Sequence, residues 1–163
     1  MNKLNHVAFI MDGNGRWGKK KSKGRNYGHL KGVETVKRIV SSSIELKIPF
    51  ITFYVFSSEN WKRPKTEINF LFKLIQKYFV NEINRIVKEG IKINILGEMD
   101  KLSKDLKKIL KKTSVLTKNN KKITVNLAIN YGSKNEIINV KNRKKKKLKI
   151  KNFEKNLYTK NMP

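Results

Sequence analysis

Hydrophobic residues along the chain follow two alternating patterns, one typical of β-strands and one typical of amphipathic helices. Short runs rich in β-branched and aromatic residues predict strands, whereas apolar residues three or four positions apart predict helices. Their alternation predicts an α/β fold, a parallel β-sheet flanked by helices, because parallel neighbours need crossover connections. The predicted strands cover residues 7–11, 48–56, 91–97 and 122–130, and the predicted helices cover residues 27–47, 66–89 and 102–118.

The first predicted strand ends in an unexpected way. Val7, Phe9, Ile10 and Met11 are apolar without polar alternation, which predicts a strand buried on both faces. The strand stops at Asp12, the first residue of the glycine-rich and basic stretch DGNGRW. A carboxylate on such a stretch, directly after a core strand, indicates a role beyond packing.

Polar stretches follow three of the predicted strands: DGNGRW after the first, SSENWKRP after the second and NYGSKNE after the fourth. In open parallel sheets, ligands bind beyond the carboxyl ends of the strands, so we expect these stretches to meet in one site. That site would collect Asp12, a loop over residues 13–16, a loop over residues 57–63, Asn130 and Tyr131.

The residue types after the first strand suit a magnesium–diphosphate site. Glycines let backbone N–H groups approach an anion closely, and Arg16 adds a forked donor. An acid among such anion binders is best explained by a metal. Mg²⁺ typically takes one or two protein carboxylates and completes its shell with phosphate oxygens and water, which assigns Asp12 to the metal.

Each of these signals also has a simpler interpretation. Asp-Gly and Asn-Gly are ordinary turn dipeptides. His29 lies early in a helix, where a histidine commonly caps or packs, and Trp17 and Trp61 would serve equally as core aromatics. An EF-hand is excluded because Arg16 stands where the third oxygen ligand belongs. An aspartate-nucleophile phosphatase would need a second carboxylate where this chain has Asn14.

Composition and charge limit the class of protein. The 163 residues suit one domain, and the absence of cysteine excludes disulfides and zinc–thiolate sites. No apolar run is long enough to span a membrane and the N-terminus lacks a signal-peptide pattern, so we expect a cytoplasmic protein. The formal net charge is +27, but 33 of the 39 cations are lysine and the chain has 19 asparagines, which indicates a compositional bias. A small basic protein that binds nucleic acid or an anionic membrane, without catalysis, is the alternative function.

Four stretches together are far more specific than any one of them: HVAFIMDGNGRW, RNYGHLKG, YVFSSENWKRPKTE and NLAINYGSKNEI. In this order and spacing they resemble the cis-prenyltransferases, from His6 to the last residue. The resemblance implies Mg²⁺-dependent condensation of isopentenyl diphosphate onto an allylic diphosphate such as farnesyl diphosphate. The product would be a cis-polyprenyl diphosphate for the cell-wall lipid carrier. The resemblance also implies a homodimer. The positive charge favours peripheral association with the inner face of the membrane, and its compositional origin predicts no specific nucleic acid.

The family's residue roles carry over onto the positions that match. Asp12 would be the catalytic acid that holds Mg²⁺ on the allylic diphosphate, and Asn60 would stand in the position of the proton acceptor. The other matching residues would bind substrate: Gly13, Asn14, Gly15, Arg16, Trp17, Arg25 and His29 around the allylic diphosphate, and Ser57, Ser58, Glu59, Trp61 and Arg63 along the rest of the site.

The helix predicted over residues 66–89 carries two apolar stripes on different faces. Periodicity alone favours a core or subunit contact for both stripes, whereas the resemblance implies that the second one lines a tunnel for the growing hydrocarbon chain. The first stripe consists of Ile68, Leu71, Phe72, Ile75, Phe79, Ile83 and Ile86, and the second of Phe70, Leu74 and Tyr78.

The chain departs from the family pattern in two places. Ser133 and Lys134 follow Gly132 where the family has glycine and arginine, so a bidentate donor is lost. The family's later motif, an Asp-Pro-Asp-Leu-Ile-Arg-Thr stretch, is absent. That region of the family supplies isopentenyl diphosphate binding, a second Mg²⁺ ligand, the last strands and part of the dimer contact. We therefore expect residues 1–163 to form a single domain that is incomplete at its C-terminal end and inactive alone.

Overall fold

The computed structural model describes residues 4–142, 153–160 and 162. All the predicted strands and helices are present, with ends that shift by a few residues. The strands are β1 (His6–Ile10), β2 (Phe50–Ser57), β3 (Ile91–Leu96) and β4 (Ile123–Tyr131). The α-helices are α1 (Asn14–Lys20), α2 (Gly24–Glu45), α3 (Lys65–Lys88), α4 (Lys104–Leu116) and α5 (Ser133–Asn142), and a 3-10 helix spans Ser58–Lys62.

The four strands form one parallel sheet in the order β1-β2-β4-β3. β2 pairs with β1 and β4, and β3 pairs with β4, so the predicted α/β architecture is confirmed. The central strand β2 carries Ile51, Phe53 and Phe56, which are fully buried. Because β1, β2 and β4 are neighbours and run in the same direction, the polar stretches that follow them emerge side by side.

Strand β1 lies at an edge of the sheet, and the prediction that it is buried on both faces is wrong. Val7 and Phe9 pack against the core, whereas Ile10 is 81% exposed. Within the described residues the strand pairs only with β2, and its face that carries Ile10 is not covered by another element. Hydrophobic runs of this kind report a preference for burial, but the position of a strand in the sheet order decides whether both faces are covered.

The glycine-rich stretch after Asp12 is helical, so the prediction of a loop over residues 13–16 is wrong. Gly13 adopts a left-handed φ of 84°, and α1 begins at the next residue. Helix α1 packs so closely on α2 that a Cβ on Gly18 would lie 2.2 Å from the Gly24 carbonyl oxygen. Glycine disfavours helix in isolation, but here it permits the contact between helices that stabilises α1.

Helix α3 packs its first apolar stripe into the core. All of that stripe is buried except Ile83, which is half-buried. The second stripe of Phe70, Leu74 and Tyr78 is half-buried. In the described part of the chain, neither α3 nor any other helix is both long and apolar enough to cross a membrane.

Candidate active site

Asp12 lies just beyond the carboxyl end of β1 and forms an exposed ion pair. Its Oδ1 accepts a hydrogen bond of 2.6 Å from the Gly13 N–H, and its Oδ2 accepts one of 2.9 Å from Arg16 Nη2. The side chains of Asp12 and Arg16 are 66% and 74% exposed. Exposed ion pairs contribute little to stability, so both groups can exchange this contact for a ligand at low cost.

Next to this pair, the carboxylate of Glu67 contacts three basic side chains. Glu67 accepts two hydrogen bonds from Arg25, of 2.8 Å from Nε and 2.9 Å from Nη2. The His29 Nε2 lies 3.2 Å from Glu67 Oε1, and Arg63 Nη1 lies 3.4 Å from the same oxygen. These basic residues come from α2 and from the segment before α3, so Glu67 joins two parts of the predicted site.

Sequence reasoning missed Glu67, although the residue lies inside the stretch YVFSSENWKRPKTE. Two signals were available. Glu67 is one of only 12 acidic residues in a chain of net charge +27. It also stands four residues after Arg63, at the spacing that brings side chains together along a helical turn.

The pKa values in this cluster follow from its hydrogen bonds and its burial. The hydrogen bonds from Arg25 hold the pKa of Glu67 below its usual range, although burial acts in the opposite direction. Burial lowers the pKa of His29, although its hydrogen bond to Glu67 opposes that change. At neutral pH Glu67 is therefore ionised and His29 is neutral. Because an ionised carboxylate only accepts hydrogen bonds, the proton of His29 resides on Nε2.

These groups line one narrow pocket. Its volume is about 30 Å³, roughly the volume that one water molecule occupies in the liquid. It adjoins a groove of about 890 Å³ between α1 and α2, and Asp12, Gly13 and Asn14 line both. A diphosphate would therefore extend into the groove or displace Arg16 from Asp12. The narrow pocket is lined by Met11, Asp12, Gly13, Asn14, Gly15, Arg16, Arg25, His29 and Arg63.

Trp17 lines the groove rather than the narrow pocket. Its ring stacks on Tyr27 with centroids 5.8 Å apart and planes 9° from parallel. It is also 42% exposed, so it is not the core aromatic that the simpler interpretation allowed.

Apart from Arg63, the residues after β2 form a second group, which does not line the narrow pocket. Asn60 Oδ1 accepts a 3.1 Å hydrogen bond from the Ser57 N–H and so holds the start of the 3-10 helix. Trp61 donates from Nε1 to Asn130 Oδ1 at 2.7 Å. Its ring lies 5.2 Å from that of Phe56, so it packs on the core as the simpler interpretation predicted.

Ser58 and Glu59 complete this second group. A Cβ on Gly132 would lie 2.4 Å from the Ser58 Oγ, so the end of β4 touches the 3-10 helix. Glu59 is exposed, and a hydrogen bond to its own backbone lowers its pKa. The structure thus brings together the ends of β2 and β4, and only Arg63 of residues 57–63 reaches the pocket beside Asp12.

An apolar cavity of about 70 Å³ lies between the sheet and helices α2 and α3. Of the second stripe of α3, only Tyr78 lines it, and burial raises the pKa of Tyr78 to about 12. The prediction that the second stripe as a whole forms a tunnel wall therefore does not describe this cavity. Its lining consists of Val33, Val36, Phe53, Val55, Ile75, Tyr78, Phe79, Leu127 and Ile129.

The donor set around Asp12 fits a metal ion that arrives with a phosphate ligand. Within residues 4–142, 153–160 and 162, no group of three His, Cys, Asp or Glu side chains is placed to hold a metal. Asp12 therefore offers one exposed carboxylate. Mg²⁺ is commonly held by one or two carboxylates together with substrate phosphates and water, so this arrangement is compatible with Mg²⁺.

Gly15 gives a test of the part that Arg25 plays. A Cβ at position 15 would lie 2.9 Å from the Arg25 Cζ, so the flexible guanidinium must move while the backbone stays in place. We expect Gly15→Ala to weaken binding of a diphosphate ligand about tenfold, the loss of roughly one charge-assisted hydrogen bond. Isothermal titration calorimetry measures the affinity, and thermal unfolding checks the fold. Unchanged affinity would mean that the position of Arg25 is immaterial to the ligand.

A family model described as putative undecaprenyl diphosphate synthase matches residues 10–163. The chain belongs to this family. An isoprenyl transferase of Rickettsia felis is 44% identical over 138 residues, which are 85% of this chain and 59% of the relative. One of Fusobacterium nucleatum is 40% identical over 157 residues, which are 94% of this chain and 68% of the relative. The resemblance seen in the motifs is thereby confirmed.

Solved structures of the family have the same fold. Lavandulyl diphosphate synthase from Lavandula x intermedia, in complex with dimethylallyl diphosphate, matches with a TM-score of 0.90 at 25% identity, over 97% of this chain and 72% of that one. A probable undecaprenyl diphosphate synthase from Campylobacter jejuni matches with a TM-score of 0.79 at 31% identity, over 97% and 71%. The chain described here spans 59% of the Rickettsia felis relative and 49% of an isoprenyl transferase from Prochlorococcus marinus.

Proposed function

We propose that this chain carries the allylic-diphosphate part of a cis-prenyltransferase site. In this proposal the enzyme condenses isopentenyl diphosphate onto farnesyl diphosphate, with Mg²⁺, to give a cis-polyprenyl diphosphate for the cell-wall lipid carrier. The observation that carries the proposal is the pocket itself. Asp12 and Arg16 face it together with Arg25, His29 and Arg63, at the carboxyl end of β1.

The charges of the pocket suit an allylic diphosphate. Arg25 and Arg63 share one carboxylate, Glu67, so the cluster keeps a net positive charge while His29 is neutral. Forked guanidinium groups bind phosphate oxygens and stabilise the charge that grows on a departing diphosphate. The solved lavandulyl diphosphate synthase, which has the same fold, was crystallised with an allylic diphosphate, and this supports the substrate class.

Each residue of the pocket would then have a defined task. Arg16 would leave Asp12 and bind a phosphate oxygen, which frees the carboxylate of Asp12 to hold Mg²⁺. When bound, Mg²⁺ would neutralise negative charge on the phosphate groups. The negative field of the ligand would favour the protonated form of His29, whose Nδ1 would then donate a hydrogen bond to a phosphate oxygen. Arg25 and Arg63 would orient the diphosphate so that its allylic carbon faces the incoming substrate.

The hydrocarbon part of the substrate would enter the apolar cavity between the sheet and helices α2 and α3, whose volume of about 70 Å³ would have to increase to hold a farnesyl chain. Val33 and Val36 of α2 face Ile75, Tyr78 and Phe79 of α3 there. The raised pKa of Tyr78 keeps its phenol neutral, so the wall carries no charge that would oppose a prenyl chain. The assignment of Asn60 as proton acceptor, the homodimer and the association with the membrane stay predictions.

The proposal is tested by thermal unfolding of the chain with farnesyl diphosphate and Mg²⁺, at a salt concentration that abolishes binding to RNA. A ligand at about 100 times its Kd stabilises by about 2.7 kcal/mol, which shifts the Tm of a chain this size by roughly 5 °C or more. Farnesol, which lacks the diphosphate, and farnesyl diphosphate with EDTA are the controls and should leave the Tm nearly unchanged. No shift with the complete ligand under these conditions would overturn the proposal and favour the alternative of a basic binding protein.

A further inference from the structure

Glu67 differs from Asp12, the acid that lines the pocket, because it is buried and faces three basic groups. It is 8% exposed and lies in the first turn of α3. Its two oxygens receive Nε and Nη2 of Arg25 in a bidentate arrangement, and Oε1 is also within reach of His29 and Arg63. A buried carboxylate is expensive unless it is fully paired, so this set of contacts is the condition for its burial.

The carboxylate lies behind the basic groups as seen from the pocket. Arg25, His29 and Arg63 line the pocket beside Asp12, whereas Glu67 does not. Glu67 lines a different surface pocket together with Arg25 and Pro64. Arg25 uses Nε and Nη2 for Glu67, which leaves Nη1, and Arg63 uses Nη1, which leaves Nε and Nη2. These remaining donors are not used by Glu67 and can be offered to a ligand in the pocket.

Without the negative charge of Glu67, the basic side chains around it would not keep this arrangement. Arg25 and Arg63 carry like charges in one small space, and they would repel each other if no anion lay between them. Long arginine side chains also lose rotamer entropy when they are fixed, and a ligand would have to order them on binding. With Glu67 in place, that ordering is completed during folding.

We propose that Glu67 is a positioning residue, which holds Arg25, His29 and Arg63 in the orientation that receives a diphosphate without touching the ligand itself. This inference rests on the proposed function, because it assigns a task within the same site. Two other roles make different predictions. A purely structural tie between α2 and α3 would affect stability alone, and a competitor for the arginines would weaken binding of the ligand.

The first experiment compares binding of Mg²⁺–farnesyl diphosphate and of Mg²⁺ with inorganic diphosphate to the wild-type chain and to Glu67→Gln. Glutamine keeps the shape and one acceptor oxygen but removes the charge. We expect both ligands to bind about tenfold more weakly to Glu67→Gln, as is typical when a group that orients a ligand-binding residue is lost. Glu67→Asp, which restores the charge on a shorter side chain, should recover part of that loss.

Glu82→Gln is the matched control. Glu82 lies farther along α3 and also joins this helix to α2, through an ion pair of 2.6 Å with Lys37. If Glu67 only ties the helices together, the two variants should lose similar stability and neither should change affinity. Unchanged affinity in Glu67→Gln would overturn the proposal, and so would tighter binding, which would identify Glu67 as a competitor for the arginines.

A second measurement, the NMR titration of His29, examines the site in the absence of a ligand. The chain has two histidines, so the NMR titration of His29 is resolved against His6, which contacts Thr52 on β2 and is the internal reference. Because Glu67 opposes the lowering of the His29 pKa by burial, Glu67→Gln should lower that pKa further. An unchanged His29 titration would mean that the carboxylate does not orient the imidazole and would contradict the proposal.

The two ligands separate this proposal from the proposed function. If the wild-type chain binds inorganic diphosphate but gains nothing from the farnesyl group, the allylic substrate is wrong, and the loss in Glu67→Gln still supports positioning. If the wild-type chain binds neither ligand, the pocket is not a diphosphate site, and both proposals are overturned.

Discussion

Asp12→Asn is expected to lower the Mg²⁺-dependent affinity of the chain for farnesyl diphosphate by about 100-fold, equivalent to roughly 2.7 kcal/mol. Asp12 supplies the one exposed carboxylate of the pocket, and asparagine removes its charge while keeping its shape. Because the side chain is 66% exposed, its loss should leave the stability of the fold nearly unchanged. Isothermal titration calorimetry with and without Mg²⁺ measures the effect.

The control for this variant is Asp105→Asn. Asp105 is an exposed aspartate in the first turn of α4, which packs beside β3 at the sheet edge opposite to β1. Asp105→Asn removes the same formal charge from the chain as Asp12→Asn, so any general effect of raising the net positive charge appears in both variants. Equal affinities of Asp12→Asn and Asp105→Asn would show that Asp12 does not hold the metal. A loss that persists in EDTA would point to a metal-independent role.

Gly28→Ala is expected to destabilise the chain by about 3 kcal/mol, the upper end of what overpacking normally costs. A Cβ at position 28 would lie 1.8 Å from the Asn14 carbonyl oxygen, and backbone atoms on a helix cannot move aside as a side chain can. This steric clash is relieved only if α1 moves away from α2. Since α1 carries Gly15 and Arg16, diphosphate affinity should fall together with stability.

Ser42→Ala controls for the substitution itself, because it also introduces an alanine into α2 but at an exposed position. Urea unfolding of both variants, followed by circular dichroism, measures the change in the free energy of unfolding. Gly28→Ala with wild-type stability would mean that the two helices are not in the close contact described here.

Several features of this protein were predictable because they depend on local patterns. The alternation of strand and helix periodicities implied a parallel sheet, since crossover connections leave few other arrangements. The rule that ligands bind beyond the carboxyl ends of parallel strands then pointed to the polar stretches after β1, β2 and β4. The structure places Asp12, Arg16 and Arg63 of the first two stretches around one pocket, together with Arg25 and His29, which only the family resemblance indicated; the stretch after β4 does not line it.

Other features were decided by contacts between distant parts of the chain. Ile10 is exposed because β1 took an edge position, and no local pattern encodes sheet order. Helix α1 forms in spite of its glycines because Gly18 and Gly28 let it pack against α2, a gain that a propensity scale does not contain.

Glu67 is the clearest example of a residue whose role local sequence patterns do not predict. Alone in the sequence it is an ordinary helical glutamate, and its burial is favourable only because Arg25 and His29, about 40 residues earlier, meet it in the fold. The sequence by itself determined the chemistry available at the strand ends. The tertiary structure decided which charges face the ligand and which are held behind them, because that division depends on the pairing of groups that only folding brings within hydrogen-bond distance.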